Sequence, residues 1–326
     1  MTERTLVQAV NAAMARAMAE DPAVLVVGED VGTDGGVFRA TEGLLGRFGP
    51  QRVIDTPLAE AGIAGLAVGL AAQGFRPVAE IQFTGFIYAA LDQVVNHAAR
   101  LRTRTRGRLT CPLVIRAPTG GGVRAPEHHS ESPEAMFAHI PGLRVVVASS
   151  PARAFGLLLA AIRDPDPVLF LEPTRLYRAV REEVPDDAPP LPLDRAFVLR
   201  EGTDATLVAW GGMVPEALAA AEALEKEDVS CEVIDLATLK PLDEETILAS
   251  VARTGRLVVV QEAPLTAGFG AEVAARVAER GLMSLRAPVR RVTGWDTVMP
   301  LLRLEQRYIP SAARIAAAVR DAMAFA

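Results

Sequence analysis

Short apolar runs bounded by turn residues alternate with segments of helical spacing along the whole chain. Residues 24–27, 78–83, 113–115, 143–147 and 168–171 read as buried strands, with helices expected at 6–19, 62–73, 86–102 and 152–163. Such alternation implies a mostly parallel sheet covered on both faces. Residues 181–195 are proline-rich and acidic, unable to continue a helix or a central strand, so a linker is placed there. The pattern then restarts, with strands expected at 206–209, 231–234, 257–260 and 289–292 and helices at 214–226, 244–251, 270–279 and 312–323. The expectation is an α/β protein of two domains, 1–180 and a smaller one at 196–326.

The stretch Asp55-Thr-Pro-Leu-Ala-Glu60 followed by small apolar residues to Gly74 organises the first domain. Thr56 is placed to cap a helix and Pro57 suits its first position. Beyond Ala61 the composition predicts a helix buried on every side. Gly62, Gly65 and Gly69 share a face where another helix backbone can come close. Glu60 is the only charge between Asp55 and Arg76. It is either a first-turn glutamate meeting the helix dipole or a site carboxylate, since a lone buried carboxylate is costly unless something binds it.

The net charge of −6 argues against nucleic acid as the main partner. Cys111 and Cys231 have no CxxC company, so both are expected as reduced thiols in a cytoplasmic protein. The N-terminus has neither the apolar core of a signal peptide nor the acid-free look of a transit peptide, and no apolar run is long enough to span a membrane.

Several loops carry candidate chemistry. Gly28-Glu-Asp-Val-Gly32 follows the first strand, where α/β folds often bind ligands, yet it lacks the G-x-G-x-x-G of a nicotinamide site. Gln82 and Phe86 end one strand and enter a helix; they suit the edge and face of a flat heterocycle, or the core. Arg100, Arg102, Arg104, Arg106 and Arg108 favourably meet a helix C-terminus, on a solvated or partner-facing end. The glycine-rich run 118–130 has no P-loop lysine, and His128 and His129 lack zinc spacing. It is a surface turn or a loop that delivers an acid/base histidine. Residues 161–167 read as a helix exit. In the second domain, the segments beginning at Glu262 and Gly294 face a partner or are structural, and no catalytic residue is assigned there.

Asp55-Thr-Pro-Leu-Ala-Glu-Ala-Gly-Ile, preceded by Val27-Gly-Glu-Asp-Val31, resembles the β subunit of thiamine-diphosphate-dependent 2-oxoacid dehydrogenases, the decarboxylase component of the pyruvate and branched-chain complexes. The resemblance continues through Glu80-Ile-Gln-Phe, His129-Ser-Glu-Ser-Pro-Glu-Ala, Ala161-Ile-Arg-Asp-Pro-Asp-Pro, Cys231-Glu-Val-Ile-Asp-Leu and Glu262-Ala-Pro-Leu-Thr, nearly the whole chain. It implies a pyrimidine-binding thiamine-diphosphate domain followed by a transketolase C-terminal-like domain. The residues it places at the cofactor are Glu29, Leu58, Glu60, Gln82 and Phe86. Glu60 is then the catalytic carboxylate at N1′ of the aminopyrimidine, and His129 serves proton transfer as the acyl group passes to a lipoyl arm. A structural potassium ion is implied at Leu113, Ala161, Ile162, Asp164 and Asp166, largely through carbonyl oxygens. The Gly-Asp-Gly…Asn-Asn segment that holds magnesium and diphosphate in thiamine enzymes is absent from the sequence. That half is expected from an α subunit, in a heterotetramer of two α and two β chains serving a lipoyl-bearing acyltransferase core.

For substrate, the segments at His129 and Arg175-Leu-Tyr-Arg lean toward branched-chain 2-oxoacids, the leading expectation. Phe86 and Leu239-Lys-Pro-Leu-Asp lean toward the alternative, pyruvate (or acetoin). A non-catalytic scaffold of the same fold is the rival from another class.

Overall fold

The Thr5 hydroxyl accepts from the Gln8 amide at 3.4 Å while the Gln8 side chain accepts from the Thr5 amide at 3.0 Å. This reciprocal cap starts helix α1 (Leu6–Glu20). The computed structural model describes residues 2–325. They form two compact units: the chain up to Thr119 with Met136–Leu193, and Gly120–Ala135 with the chain from Asp194 onward. The sequence reading kept 120–135 with the first domain; its contacts put it with the second unit.

In the first unit, strands β1 (Val24–Gly28), β2 (Val53–Asp55), β3 (Arg76–Glu80), β4 (Val114–Thr119), β5 (Arg144–Val147) and β6 (Val168–Pro173) are all parallel. They lie in the order β5-β6-β4-β3-β1-β2. β1, β4 and β6 are buried along their length, as continuous apolar runs require. Helix α2 (Glu60–Ala72) joins β2 to β3, and α3 (Pro151–Arg163), capped by Ser150 with proline in its first turn, packs on α1.

Three expectations fail here. Helix α2 starts at Glu60, with Ala59 at its cap position and no side-chain cap, so Thr56 is not the cap. Nor is α2 buried on every side: Ile63, Ala64, Ala67 and Ala71 face the core, whereas Ala61, Gly62, Leu66 and Gly69 are exposed. An all-apolar helix gives no periodic signal to say which face is covered. The helix expected over 86–102 is broken into a 3₁₀ segment (Thr84–Ala90), a π segment (Gln93–Ala98) and a short α turn (Leu101–Arg104). The widened stretch ends where Ala99 O meets Gly142 so closely that a Cβ on Gly142 would lie 2.1 Å away.

The proline-rich linker is strapped to the first unit. Glu182–Glu183 pairs with Glu3–Arg4, and the Leu191 amide donates to Gly156 O at 3.0 Å. A Cβ on Gly156 would sit 2.5 Å from Leu191 Cγ.

In the second unit, β7 (Phe197–Arg200), β8 (Ala205–Ala209), β9 (Cys231–Asp235), β10 (Leu257–Val260) and β11 (Arg290–Val292) run in the order β11-β10-β8-β9-β7. Only β7 is antiparallel to its neighbour. Helices α4 (Val214–Glu225), α5 (Glu244–Thr254), α6 (Phe269–Gly281) and α7 (Ala312–Met323) cover it. The core gathers Leu207, Val233, Val258, Leu224, Ile315 and Val319. Thr206, buried on β8, bonds Ser250 at 2.6 Å and Thr254 at 2.7 Å on α5, so its hydroxyl carries no penalty. No helix among the described residues is long and apolar enough to cross a membrane.

Candidate active site

The first unit's connections reverse direction at β1. From β1 the chain passes to β2 on one side, then crosses by α2 to β3 on the other. Ligands of parallel α/β sheets bind outside the strand carboxyl ends at such a point. Glu29 directly follows β1, Glu60 begins α2 after β2, and Gln82 and Phe86 follow β3, whose Glu80 is in register with Gly28. The fold therefore brings Glu29, Glu60, Gln82 and Phe86 to the ends of three adjacent strands.

Glu29, Glu60, Gln82 and Phe86 are half-buried, whereas Leu58 is 71% exposed. Burial pushes the Glu29 pKa up, and the charges of Asp30 and Glu60 push it further. Phe86 meets Phe83 edge-on at 5.8 Å, and Phe83 meets Phe38 at 5.4 Å. The Thr56 hydroxyl, between Asp55 and the start of α2, is buried without a hydrogen-bond partner. A buried hydroxyl in that state is a place for a ligand atom.

Asp55, not singled out by the sequence, holds the Glu29 loop. Its carboxylate accepts from the Gly32 amide at 2.5 Å, the Thr33 amide at 3.0 Å and the Thr33 hydroxyl at 2.6 Å. Burial works against ionisation, yet these bonds keep its pKa below the ordinary value. Gly28 is required beneath it, because a Cβ there would lie 2.9 Å from Val31 Cγ1 and 3.0 Å from Glu80 O.

Below the strand ends lies a buried ionic cluster that sequence reading also missed. Arg116 on β4 donates to Glu172 at 2.7 and 2.6 Å and pairs with Glu80 on β3, while the Tyr177 hydroxyl donates to Glu172 at 2.6 Å. Burial alone would lower the Arg116 pKa; Glu172 and Glu80 more than reverse this. Burial raises that of Glu80. The signal was a lone arginine inside an apolar strand, a charge that must find a buried partner.

His129 belongs to the second unit. The loop 120–131 closes through the Gly120 amide donating to Glu131 O at 2.9 Å, and a 3₁₀ turn at Glu127–His129 carries the two histidines. Their rings lie 4.2 Å apart, His128 exposed and His129 half-buried. Burial lowers the His129 pKa, His128 lowers it further, and Glu127 pulls the other way, the net effect favouring the neutral imidazole. An open cavity of about 530 Å³ lies beside this turn, bounded by Glu127, Ser130 and Glu131 on one side and Asp296, Met299 and Tyr308 on the other.

The turn implied for potassium is crowded with arginines. Arg76 donates to Ile162 O at 3.1 Å and Asp164 O at 3.4 Å; Arg144 pairs with Asp164 at 3.0 Å, and Arg102 with Asp166 at 2.6 Å. Leu113 O accepts from the Val168 amide at 2.9 Å, and Ala161 O from the Asp164 amide at 3.2 Å. Oxygen donors suit an alkali cation, and two of these carbonyls, those of Ile162 and Asp164, already accept from the Arg76 guanidinium. Of the arginine run 100–108, Arg102 forms an ion pair with Asp166 at the surface, its side chain 43% exposed.

The strand-end site and second α/β unit define a class of thiamine-type, transketolase-like proteins. Residues 2–180 match the sequence model of the transketolase pyrimidine binding domain, and 194–315 that of the transketolase C-terminal domain. The pyruvate dehydrogenase E1 component subunit beta of Bacillus subtilis is 50% identical over 325 residues, covering 100% of both chains. That of Acholeplasma laidlawii is 51% identical, covering 97% of both. Among solved structures, a split-gene transketolase described as an inactive beta4 tetramer superposes with a TM-score of 0.82 at 26% identity, covering 99% of both chains. The chain belongs to the family of β subunits of thiamine-diphosphate-dependent 2-oxoacid dehydrogenases.

Proposed function

We propose that this chain, paired with an α subunit, carries out oxidative decarboxylation of pyruvate and passes the acetyl group to a lipoyl arm on an acyltransferase core. The observation that carries the reading is Glu60, the first residue of α2, standing beside Glu29 at the switch point of the sheet. Relatives at 48–52% identity named as pyruvate dehydrogenase subunits favour pyruvate, the alternative reading, over the branched-chain acids that led from sequence.

The half-buried carboxylates, the Gln82 amide, the Phe86 ring and the unpaired Thr56 hydroxyl suit a flat nitrogen heterocycle with polar edges, so the residues present fit an aminopyrimidine. Thiamine diphosphate, when bound, supplies the carbanion chemistry that cleaves the bond to the carboxylate. Glu60, the first residue of α2, would hold N1′ of the aminopyrimidine and would move a proton there. Glu29, with its raised pKa, is the carboxyl readier to keep a proton. Gln82 would bond an edge of the heterocycle, Phe86 would pack on its face, and Leu58 would cover it from the exposed side. His129, whose lowered pKa favours the neutral imidazole, would take a proton during acyl transfer.

Magnesium and the diphosphate fall to the α subunit. On the exposed face of α2, Ala61, Gly62 and Gly69 are small enough to let a second backbone approach and Leu66 offers it an apolar side chain, which supports a close subunit contact. The described residues contain no cluster of metal-ligating side chains. Two buried free thiols fit a reducing compartment, and the cytoplasm is the location proposed.

Glu60→Gln in the assembled αβ enzyme tests the assignment. Thiamine diphosphate binding is expected to persist while decarboxylation falls about 100-fold or more. Near-normal turnover would overturn it. The isolated chain is expected to be inactive, like the beta4 tetramer of the split transketolase it resembles.

A further inference from the structure

Two buried carboxylates of the second unit grip the backbone of the loop that carries His129. The Gly121 amide donates to Glu262 Oε1 at 2.5 Å. The Gly122 amide donates to Glu305 Oε1 at 2.7 Å, and the Arg124 amide to both Glu305 oxygens at 3.2 Å. Glu262 is 8% exposed and Glu305 2%. Amides converging in this way form a concavity for an anion, and here the chain's own side chains fill it.

The loop is strained where the carboxylates grip it. Gly120, Gly122 and Arg124 have φ of +74°, +96° and +58°. The value at Arg124 costs a non-glycine residue about 1 kcal/mol. Side chains at the glycines are excluded by the carboxylates themselves: a Cβ on Gly120 would lie 2.9 Å from Glu262 Oε1, and one on Gly121 3.1 Å from Glu305 Oε1 and 2.7 Å from Met299 Cε. The strained loop is held because the carboxylates over-determine it. Glu262 lies just past β10, and Glu305 begins a short helical turn (Glu305–Tyr308), so both grips are fixed to the unit's framework.

We propose that Glu262 and Glu305 are positioning residues that set the height and orientation of His129 through the backbone of residues 120–124. The proposal rests on the reading of His129 given above, as the group that serves acyl transfer rather than decarboxylation. Charge-assisted bonds to three amides are strong enough to do this; a neutral acceptor keeps the geometry with weaker bonds.

The test uses the assembled αβ enzyme with two partial reactions, decarboxylation reported by an artificial electron acceptor and reductive acylation of a lipoyl domain. Glu305→Ala is expected to lower kcat for lipoyl acylation by about 10-fold or more, since small misplacements of a reacting group have effects of that size. Decarboxylation should stay within about 2-fold, and Glu305→Gln should recover most of the lost acylation. Hydrogen exchange at the Gly121, Gly122 and Arg124 amides supplies a readout independent of activity. Glu262→Gln should speed it at Gly121, and Glu305→Gln at Gly122 and Arg124, in folded protein. Equal loss of both partial reactions in Glu305→Ala, or unchanged exchange in both glutamine variants, would overturn the proposal. A His129→Ala variant that acylates lipoyl domains normally would instead remove the reading on which it rests.

Discussion

Glu134 sits five residues beyond His129 and has no role in the chemistry proposed, yet it makes the second unit's stability depend on pH. Its carboxyl is buried, accepts from Trp210 Nε1 at 3.1 Å and lies near enough to Glu262 to be repelled when charged. Burial is the main cause that raises its pKa from 4.5 to about 7; Glu262 adds to it and the Trp210 bond opposes it. In the unfolded chain the same group loses its proton near 4.5. Between these values the folded state binds more protons than the unfolded one, so stability is fully present below pH 4.5 and falls as pH rises toward 7. A change from 4.5 to about 7 corresponds to roughly 3 kcal/mol at 1.36 kcal/mol per unit. Glu134→Gln removes the titration and keeps an oxygen to accept from Trp210. Relative to wild type, the variant should therefore gain about 3 kcal/mol between pH 4.5 and pH 8. For a unit of this size that is of the order of 5–10 °C in Tm. Thermal unfolding of both proteins across that range, followed by fluorescence of buried Trp210, gives the measurement. A Tm difference that stays constant with pH would refute the reasoning.

Two further predictions concern groups outside the site. Arg116→Met should lower stability by about 3–5 kcal/mol, seen as a large drop in Tm, because Glu80 and Glu172 lose the cation between them. A Tm like the wild type's would mean that the two acids hold protons and need no partner. Burial, with help from Asp166, pushes the Cys111 thiol up to about 12, and burial, with help from Asp204, pushes Cys231 to about 11. Neither should react with a disulfide reagent at pH 8 until the protein is denatured, when both should. Fast labelling of the native protein would show an opening of the strand ends that carry them.

Much of the fold was legible because most of its strands are largely apolar runs and α1, α3, α5 and α7 carry Thr, Ser, Asp and Ser caps. The helix at Ala312–Met323 and the strand at Leu257–Val260 fall where periodicity put them. The failures have specific causes. Thr56 has the right residue type for a cap, but the chain spends three more residues crossing from the end of β2 before it turns helical, and no local signal marks that detour. The expected helix over 86–102 is broken between Thr84 and Arg104, and its π segment ends against Gly142, far along the sequence. Residues 120–135 follow strand β4 directly and fall within the pyrimidine-domain match, while their contacts lie with the second unit, where Glu262 and Glu305, more than a hundred residues later, accept from amides of residues 121–124.

The sequence by itself determined the class of this protein: two α/β units, an acidic composition, and an ordered set of motifs that resembles one family from end to end. These are properties of local pattern and residue type, which a linear reading can recover. The tertiary structure decided which charges act together. Glu29 with Glu60, Asp55 with Gly32 and Thr33, Arg116 with Glu80 and Glu172, and Glu305 with the loop before His129 are all pairings between distant segments. A lone carboxylate in a sequence shows only that burying it is costly. Which donor offsets that cost, and so what the carboxylate does, depends on the order in which parallel strands are laid side by side.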